Sequence, residues 1–472
     1  MHFPRVLVPP ATLALCNSVE AKNTYEYIVV GSGPGGGPLA ANLARHGHSN
    51  NTLAINDPLT RWDFFVSRDL PEIEDQFEFT TWRLTDGEFY VSLDPPADAE
   101  RLGIYYPRAG VVGGCAIHNA ATISLPPDVD WQDIAEITGD DSWSVENMRQ
   151  YLVRLERCNY LANGSTSDHG FNGYLDTSQA DPSRESGLSL FELLGRDVNS
   201  ADPNRDNILG LFTPHTHSRN GVRSSPANYL RATLDDPRGY PLTVQENTLV
   251  TKVLFSNTTS GGKGKEPRAI GLEYLRGKSL YSADPRHGRN SRGTPGKAFA
   301  TKEVILARGV FNTPQILKLS GVGPVDELRK LKIPVVRHLP GIGTGLSDNY
   351  EAVLYGTFER PFLNNLTDNV FTENRPCAPG VECTDDWQRR YLRAQTYSHH
   401  AVGACAIGSD DNALAVLDSK FRVRGIKSLR VVDGSAFPVQ PGKVPSLATF
   451  MSAKRLYMIF WQMLESIFGV VV

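Results

Sequence analysis

The stretch Gly31-Ser32-Gly33-Pro34-Gly35-Gly36 constrains the fold of this chain more than any other part of its sequence. Ahead of it, residues 25–30 (YEYIVV) form a β-branched and aromatic run of the kind that makes a buried parallel strand. Behind it, residues 38–45 (PLAANLAR) read as a helix with small residues on its inner face. In that setting Gly31 allows a tight turn, Gly33 lets the backbone approach a pyrophosphate, and Gly36 lets helix and strand pack closely. The helix N-terminus adds free N–H groups and the positive end of its dipole. Many proteins contain a glycine-rich turn; strand before and helix after identify this one as the diphosphate-binding turn of a dinucleotide-binding domain.

Such a domain continues into a second strand ending in an acid, about 20 residues after the glycines, which holds ribose hydroxyls. Residues 50–57 (NNTLAIND) start polar and are only briefly apolar, so they make a poor buried strand. Asp57 has a plausible spacing, but an ordinary surface aspartate is the plainer reading. The 472 residues suffice for two or three domains. A formal net charge of -4 gives no reason to expect a nucleic-acid partner, which needs clustered positive charge.

Arg5, the apolar run over residues 6–16 and Val19-Glu20-Ala21 read as a secretory signal peptide over residues 1–21. The mature chain is therefore expected outside the cell, and sequons at Asn50, Asn163, Asn257 and Asn365 agree with a secreted glycoprotein. In that compartment Cys377 and Cys383, which bracket a short Pro-Gly loop, can close a disulfide. Cys115, Cys158 and Cys405 lie far apart, with no CxxC pair and no histidine at zinc spacing, so no metal site is expected. The run over residues 456–472 is apolar but short, and Gln462 and Glu465 interrupt it; it predicts a packed helix rather than a membrane anchor.

Several later segments carry chemistry. Residues 105–119 read YYPRAGVVGGCAIHN, where the Gly113-Gly114 pair again suits close approach of backbone to a ligand, with Cys115, His118 and Asn119 directly after. Residues 242–255 and 269–275 alternate like the strands of a hairpin, and residues 303–307 (EVILA) predict a short buried strand. Residues 309–324 (GVFNTPQILKLSGVGP) follow. Near the end, HHAVGACAIG from His399 precedes LRVVDGSAFP from Leu429.

These four segments resemble the signatures of the glucose–methanol–choline (GMC) family of flavoprotein alcohol oxidases and dehydrogenases. They stand in the family's order from about Tyr25 to the C-terminal helix, which is far more specific than one glycine turn. RWDFF, GDDSW and VFNTPQ are most like secreted fungal members. The resemblance implies an α/β fold, α+β overall, in which a Rossmann-like FAD-binding domain is interleaved with an antiparallel-sheet substrate domain that looks shortened. Residues 22–348 would form the family's N-terminal region. Residues 349–472 would hold the shortened substrate-domain segment, the histidine block and the return to the FAD domain.

The resemblance also implies FAD as cofactor, a small alcohol as substrate, and oxygen or a quinone as electron acceptor, with neither nucleic acid nor membrane as partner. Hydride would pass from the alcohol carbon to the flavin while a base takes the hydroxyl proton. By motif position that base is His400, because Gly403 stands three residues after it, and an imidazole is largely neutral near pH 7. His118 matches the place at which some members bond the flavin covalently; the alternative is a noncovalent histidine lining the cleft. Asn119 would contact the flavin in either case. Further cofactor contacts are implied at Gly31, Gly33, Gly36, Gly113, Gly114, Asp433 and Gly434, and at Val253 in the hairpin.

The chain departs from the family pattern in three places. The second strand is weak, the segment between Asn349 and His399 is short and loop-like, and Lys443 stands where the family places a second His or Asn beside the base. A charged lysine accepts no proton unless burial lowers its pKa, but it can stabilise negative charge on a reduced flavin. Two functions follow: a working FAD-dependent alcohol oxidoreductase with His400 and Lys443 at its catalytic centre, or a GMC-fold protein without redox turnover, either lyase- or cyclase-like or an inactive truncated form.

Overall fold

A computed structural model describes residues 23–44, 60–67, 77–179, 197–207, 215–256, 266–349, 351, 357–358, 371–372 and 384–468. The signal segment, Asp57, Cys377 and Cys383, and the sequons at Asn50, Asn257 and Asn365 lie outside the described residues.

The chain enters through β1 (Thr24–Val30) and turns through the glycines into α1 (Gly36–Ala44). A small antiparallel sheet follows, built from β2 (Phe65–Val66), β3 (Thr80–Arg83), β4 (Phe89–Val91) and β5 (Glu100–Tyr105) in the order β2-β5-β3-β4. Helix α2 (Val145–Leu155) runs directly into β6 (Glu156–Cys158), which pairs in parallel with β7 (Leu175–Gln179). The other edge of β7 carries β8 (His215–Thr216). After α3 (Pro226–Leu234) come three long strands, β9 (Thr248–Ser256), β10 (Arg268–Arg276) and β11 (Thr294–Leu306). Then follow α4 (Gly309–Leu319), α5 (Asp385–Gln395), the short β12 (Leu429–Val431) and α6 (Ser446–Phe468).

The central sheet is mixed α/β in character, and β11 organises it. Its first half pairs antiparallel with β10, Gly271 opposite Phe299, and β10 pairs in turn with β9. Its second half pairs in parallel with β1 on one side and β12 on the other, so that Leu306 faces both Val30 and Val431. The expected EVILA strand is thus the buried end of a 13-residue one. Val304, Ile305 and Leu306 are fully buried, the continuous apolar run that a strand covered on both faces needs. Among the described residues β1 bonds only β11, and its Tyr25, Tyr27, Ile28 and Val29 stay half-buried.

Two expectations change in extent. The C-terminal helix starts at Ser446 rather than Leu456, and its Leu447, Phe450, Met451 and Leu456 are fully buried in the core. No helix among the described residues is long and apolar enough to cross a membrane. The segment read as loop-like before His399 contains α5, whose Thr384 side chain accepts from the Trp387 N–H while Asp385 and Asp386 occupy the first turn.

Candidate active site

All three parallel strands end at one place, and the site is built there. Gly31 has φ +107, and a Cβ on it would lie 2.2 Å from the Ala307 carbonyl oxygen at the end of β11. Gly35, which the sequence motif leaves unassigned, is held as tightly: a Cβ would lie 1.8 Å from the carbonyl oxygen of Val432, just past β12. Only glycine lets the turn sit down between both strand ends. The second glycine loop packs on the first, with the Gly113 N–H donating to Ser32 Oγ at 3.2 Å and Gly114 against Gly33.

These turns open onto a cavity of about 1370 Å³, larger than the roughly 300–1,000 Å³ of a drug-sized ligand pocket. Gly31, Gly33, Gly114, His118, Asn119, His400, Asp433, Gly434 and Lys443 all line it. The structure therefore brings into one space residues spread over most of the chain. Three expected cofactor contacts are corrected: Gly36 packs against Gly31 and Ala307, Gly113 packs against Ile117, and neither they nor Val253 line the cavity. Val253 is fully buried in the sheet core, its N–H donating to Ser320 Oγ at 2.8 Å, and Val250 on the same strand lines the cavity instead.

The predicted cofactor residues divide by how far the protein already uses them. Asp433 is saturated: one carboxylate oxygen accepts from Ser435 N and Oγ, the other from Gly309 N and Thr313 Oγ1 at 2.9 and 2.6 Å. It therefore positions β12 against the start of α4 rather than offering a free acceptor. Asn119 is similar, its Oδ1 taken by Arg223 Nη1 at 2.6 Å and its Nδ2 donating to Ser446 Oγ. His118 differs. It is buried, yet its Nδ1 has no hydrogen-bond partner among the described residues. Beside it, burial opposes ionisation of Cys115, but Arg108 and the His118 ring outweigh it and bring that thiol down to about 6.

His400 lines the same cavity. Three acceptors surround its Nδ1: Ser398 Oγ at 2.9 Å, Asn349 Oδ1 at 3.1 Å and Glu351 Oε1 at 3.2 Å. The proton therefore belongs on Nδ1, and Nε2, bonded to no described residue, keeps its lone pair. Burial pushes the His400 pKa below its ordinary value; His399 and Arg108 add to this, while Glu351 and Asp348 oppose it. The backbone is pinned too. Asp348 accepts from the His400 N–H at 2.9 Å and from Tyr106 Oη at 2.8 Å, and Tyr106 Oη accepts from Ala401 N–H. Lys443 is exposed at the cavity edge, and its carbonyl accepts from Asn349 Nδ2 at 2.7 Å. His399 Nε2 reaches the Tyr105 carbonyl instead, turned away from this set.

Asn349, Ser398, Asp348 and Tyr106 are the residues that sequence reading missed. The only sequence signal was Asp348-Asn349 itself, a polar pair at the border of the shortened segment.

Comparison with known proteins gives a consistent result. The model of a family described as GMC oxidoreductase matches residues 87–351 with its N-terminal part and residues 359–453 with its C-terminal part. Mitochondrial choline dehydrogenase from Mus musculus is 27% identical over 371 residues, covering 75% of this chain and 54% of the relative. Ecdysone oxidase from Spodoptera littoralis is 30% identical over 347 residues, covering 71% and 51%. The chain thus spans about half the length of the curated relatives it matches. Among solved structures, an FAD-dependent oxidoreductase from Chaetomium thermophilum superposes with TM-score 0.67 at 16% identity, covering 93% of this chain and 99% of that one. A fungal aryl-alcohol oxidase superposes with TM-score 0.62 at 15% identity and the same coverage. At such identities the likeness concerns the fold.

Proposed function

Because the chain belongs to the GMC oxidoreductase family, we propose that it is an FAD-dependent oxidoreductase that oxidises the CH–OH group of a small alcohol, with His400 as base. One observation carries the reading: Asn349, Ser398 and Glu351 hold Nδ1 of His400, leaving Nε2 to the cavity that begins at the glycine cradle.

The residues fit FAD at two points. The 31–36 turn and the N-terminus of α1 suit a diphosphate, and the buried Nδ1 of His118, unpartnered among the described residues, lies on the wall of the same cavity. Bound there, FAD supplies a two-electron hydride acceptor. His400 Nε2 takes the hydroxyl proton, and Asn349 and Ser398 fix the tautomer that makes this possible. Lys443 adds positive charge at the cavity edge, which favours anionic groups inside. His118 is the position for a covalent bond to the cofactor, and oxygen or a quinone is the terminal acceptor.

The test is the visible spectrum of the purified protein, followed by anaerobic titration with a panel of primary and secondary alcohols. A flavin band that one of them bleaches is expected, with bleaching abolished in His400→Ala while flavin is retained. Unchanged reduction in that variant would remove His400 as base. No flavin band, even after adding FAD, refutes the reading; a flavin that no alcohol reduces points to the non-redox alternative. Flavin that stays with acid-precipitated protein, and is released in His118→Ala, locates the covalent bond.

Secretion belongs to the same proposal. It rests on the leader pattern and on Asn163, whose Asn-Gly-Ser sequon is exposed. Recovery of a glycan-bearing protein from the medium of a eukaryotic host is expected, and intracellular retention without glycan would contradict it.

A further inference from the structure

Behind the cavity wall, a second group of chemically capable side chains lies where β6, β7 and β8 meet. None of them lines the cavity. Glu156, Cys158 and His169 are all buried, and one ligand atom from each lies within 4.8 Å of the other two. Glu156 Oε2 is 2.8 Å from His169 Nδ1. On the far side of the ring, Nε2 lies 3.1 Å from Asp197 Oδ2. Asp197 also accepts from Tyr160 Oη at 2.9 Å, and its other oxygen is 3.2 Å from His215 Nε2.

Two further observations single this group out from an ordinary ion-pair cluster. The first is incomplete satisfaction. Among the described residues, His169 Nε2 and both ring nitrogens of His215 are buried without an aligned hydrogen bond, although Asp197 lies 3.1 Å from His169 Nε2 and 3.2 Å from His215 Nε2, and buried polar atoms in that state call for an ion, a water or strain to explain them. The second is the setting of the sulfur. Cys158 Sγ accepts from the backbone N–H groups of Tyr160 and Leu161, two and three residues on, donors that favour a thiolate even though burial raises the pKa overall. Glu156 is oriented in the same way, by Thr177 Oγ1 at 2.6 Å and Gly170 N at 3.1 Å. Each of the three first contacts therefore has its own outer support, as metal ligands do.

We propose that Glu156 Oε2, Cys158 Sγ and His169 Nδ1 form a divalent-metal site of zinc type, with Asp197 as the outer carboxylate on His169 Nε2 and one coordination position left for water. A thiolate, an imidazole and a carboxylate together select zinc over calcium or magnesium, which take oxygen ligands only. Tetrahedral zinc spaces such atoms about 3.3–3.8 Å apart, so the Glu156–His169 pair, now 2.8 Å apart, opens to admit it. The ion would bind the neutral imidazole and the thiolate, taking the places of the protons on His169 Nδ1 and Cys158 Sγ. It would tie β6, β7 and the 197–200 turn together behind the active cavity.

Full-length protein produced in zinc-supplemented medium, desalted and assayed by mass spectrometry of metals, tests this directly. About one equivalent of zinc per chain is expected. Replacement by cobalt should give a thiolate-to-cobalt charge-transfer band, a readout that needs no variant. Cys158→Ala and His169→Gln should each lower metal content at least tenfold while circular dichroism keeps its shape. Less than a tenth of an equivalent in the wild-type protein together with no cobalt band would overturn the proposal and leave a protonated His169 bridging two carboxylates. Full metal content in both variants would overturn it as well.

Discussion

Asn349 offers the sharpest handle on the site, because two substitutions there should act on different kinetic quantities. Its Oδ1 is 3.1 Å from His400 Nδ1 and accepts from Ser398 Oγ at 2.6 Å, while its Nδ2 holds the Lys443 carbonyl. Asn349→Ala removes an acceptor from the ring and loosens its orientation. A net hydrogen bond is worth about 0.5–1.5 kcal/mol, and misplacement by about 1 Å costs up to about 100-fold, so flavin reduction should slow by roughly 10- to 100-fold at every pH. Asn349→Asp keeps an acceptor and adds a charge. A carboxylate at that distance stabilises imidazolium and raises its pKa by about 1–3 units. A raised pKa keeps the ring protonated to higher pH, so the base is lost over a wider acid range. The acid limb of kcat/KM should move toward alkaline pH by that amount, with a plateau above it much closer to wild type than that of the alanine variant. Stopped-flow flavin reduction as a function of pH, using the best alcohol of the panel, measures both effects. An unmoved acid limb in Asn349→Asp would refute either the role of His400 or its contact with Asn349.

Two other predictions concern the frame. Gly31→Ala combines φ +107 with a Cβ 2.2 Å from the Ala307 carbonyl; backbone strain of about 1–3 kcal/mol and overpacking of about 1–3 kcal/mol should lower the urea midpoint and reduce flavin content together. A stable, fully flavinated variant would contradict the packing of the cradle. Tyr106→Phe removes a buried hydroxyl that donates to Asp348 Oδ2 and accepts from the Ala401 N–H, taking from each that bond, and should cost about 1–3 kcal/mol by urea unfolding. A change within experimental error would show that water replaces the hydroxyl.

What the sequence made legible was local. The strand, turn and helix from Thr24 to Ala44 could be read because each signal sits within a few residues of the next. The β9–β10 hairpin was visible in its alternation, and His400 in its motif. The environment of His400 was not visible, because Asn349 and Tyr106 reach it from about 50 and 300 residues away through backbone and side-chain bonds that no periodicity records. The same holds for the Glu156, Cys158 and His169 group. Their spacing matches no metal motif, and the imidazole meets the carboxylate and thiol of β6 only because the loop before β7 folds back, its Gly170 carbonyl accepting from the Cys158 N–H at 2.8 Å. Val253 failed for a smaller reason: it lies on the strand that lines the cavity through Val250, but its own side chain is buried in the core.

The two sides of the site differ in what supports them. Around His400, the ends of the short segment are joined to each other. Ser347 and Val402 exchange both backbone hydrogen bonds, at 3.1 and 2.8 Å, and the Tyr397 N–H donates to the Glu351 carbonyl. Asp348, Asn349 and Glu351 on one side and Ser398 and His400 on the other thus share a two-stranded clasp. The clasp is closed through its own backbone, so the geometry of the base does not depend on how much chain runs between residues 352 and 396. A shorter connection even lowers the entropy cost of closing it, since that cost grows with loop length. The cradle side has no such clasp: among the described residues β1 bonds β11 alone, and its Tyr25, Tyr27, Ile28 and Val29 line the cavity. The proton-transfer side of the site is self-supporting, whereas the cradle relies on the glycine contacts with Ala307 and Val432. Weak flavin retention together with an intact His400 pH profile is thus the combination this chain should display, and tight noncovalent flavin with a disordered base would contradict it.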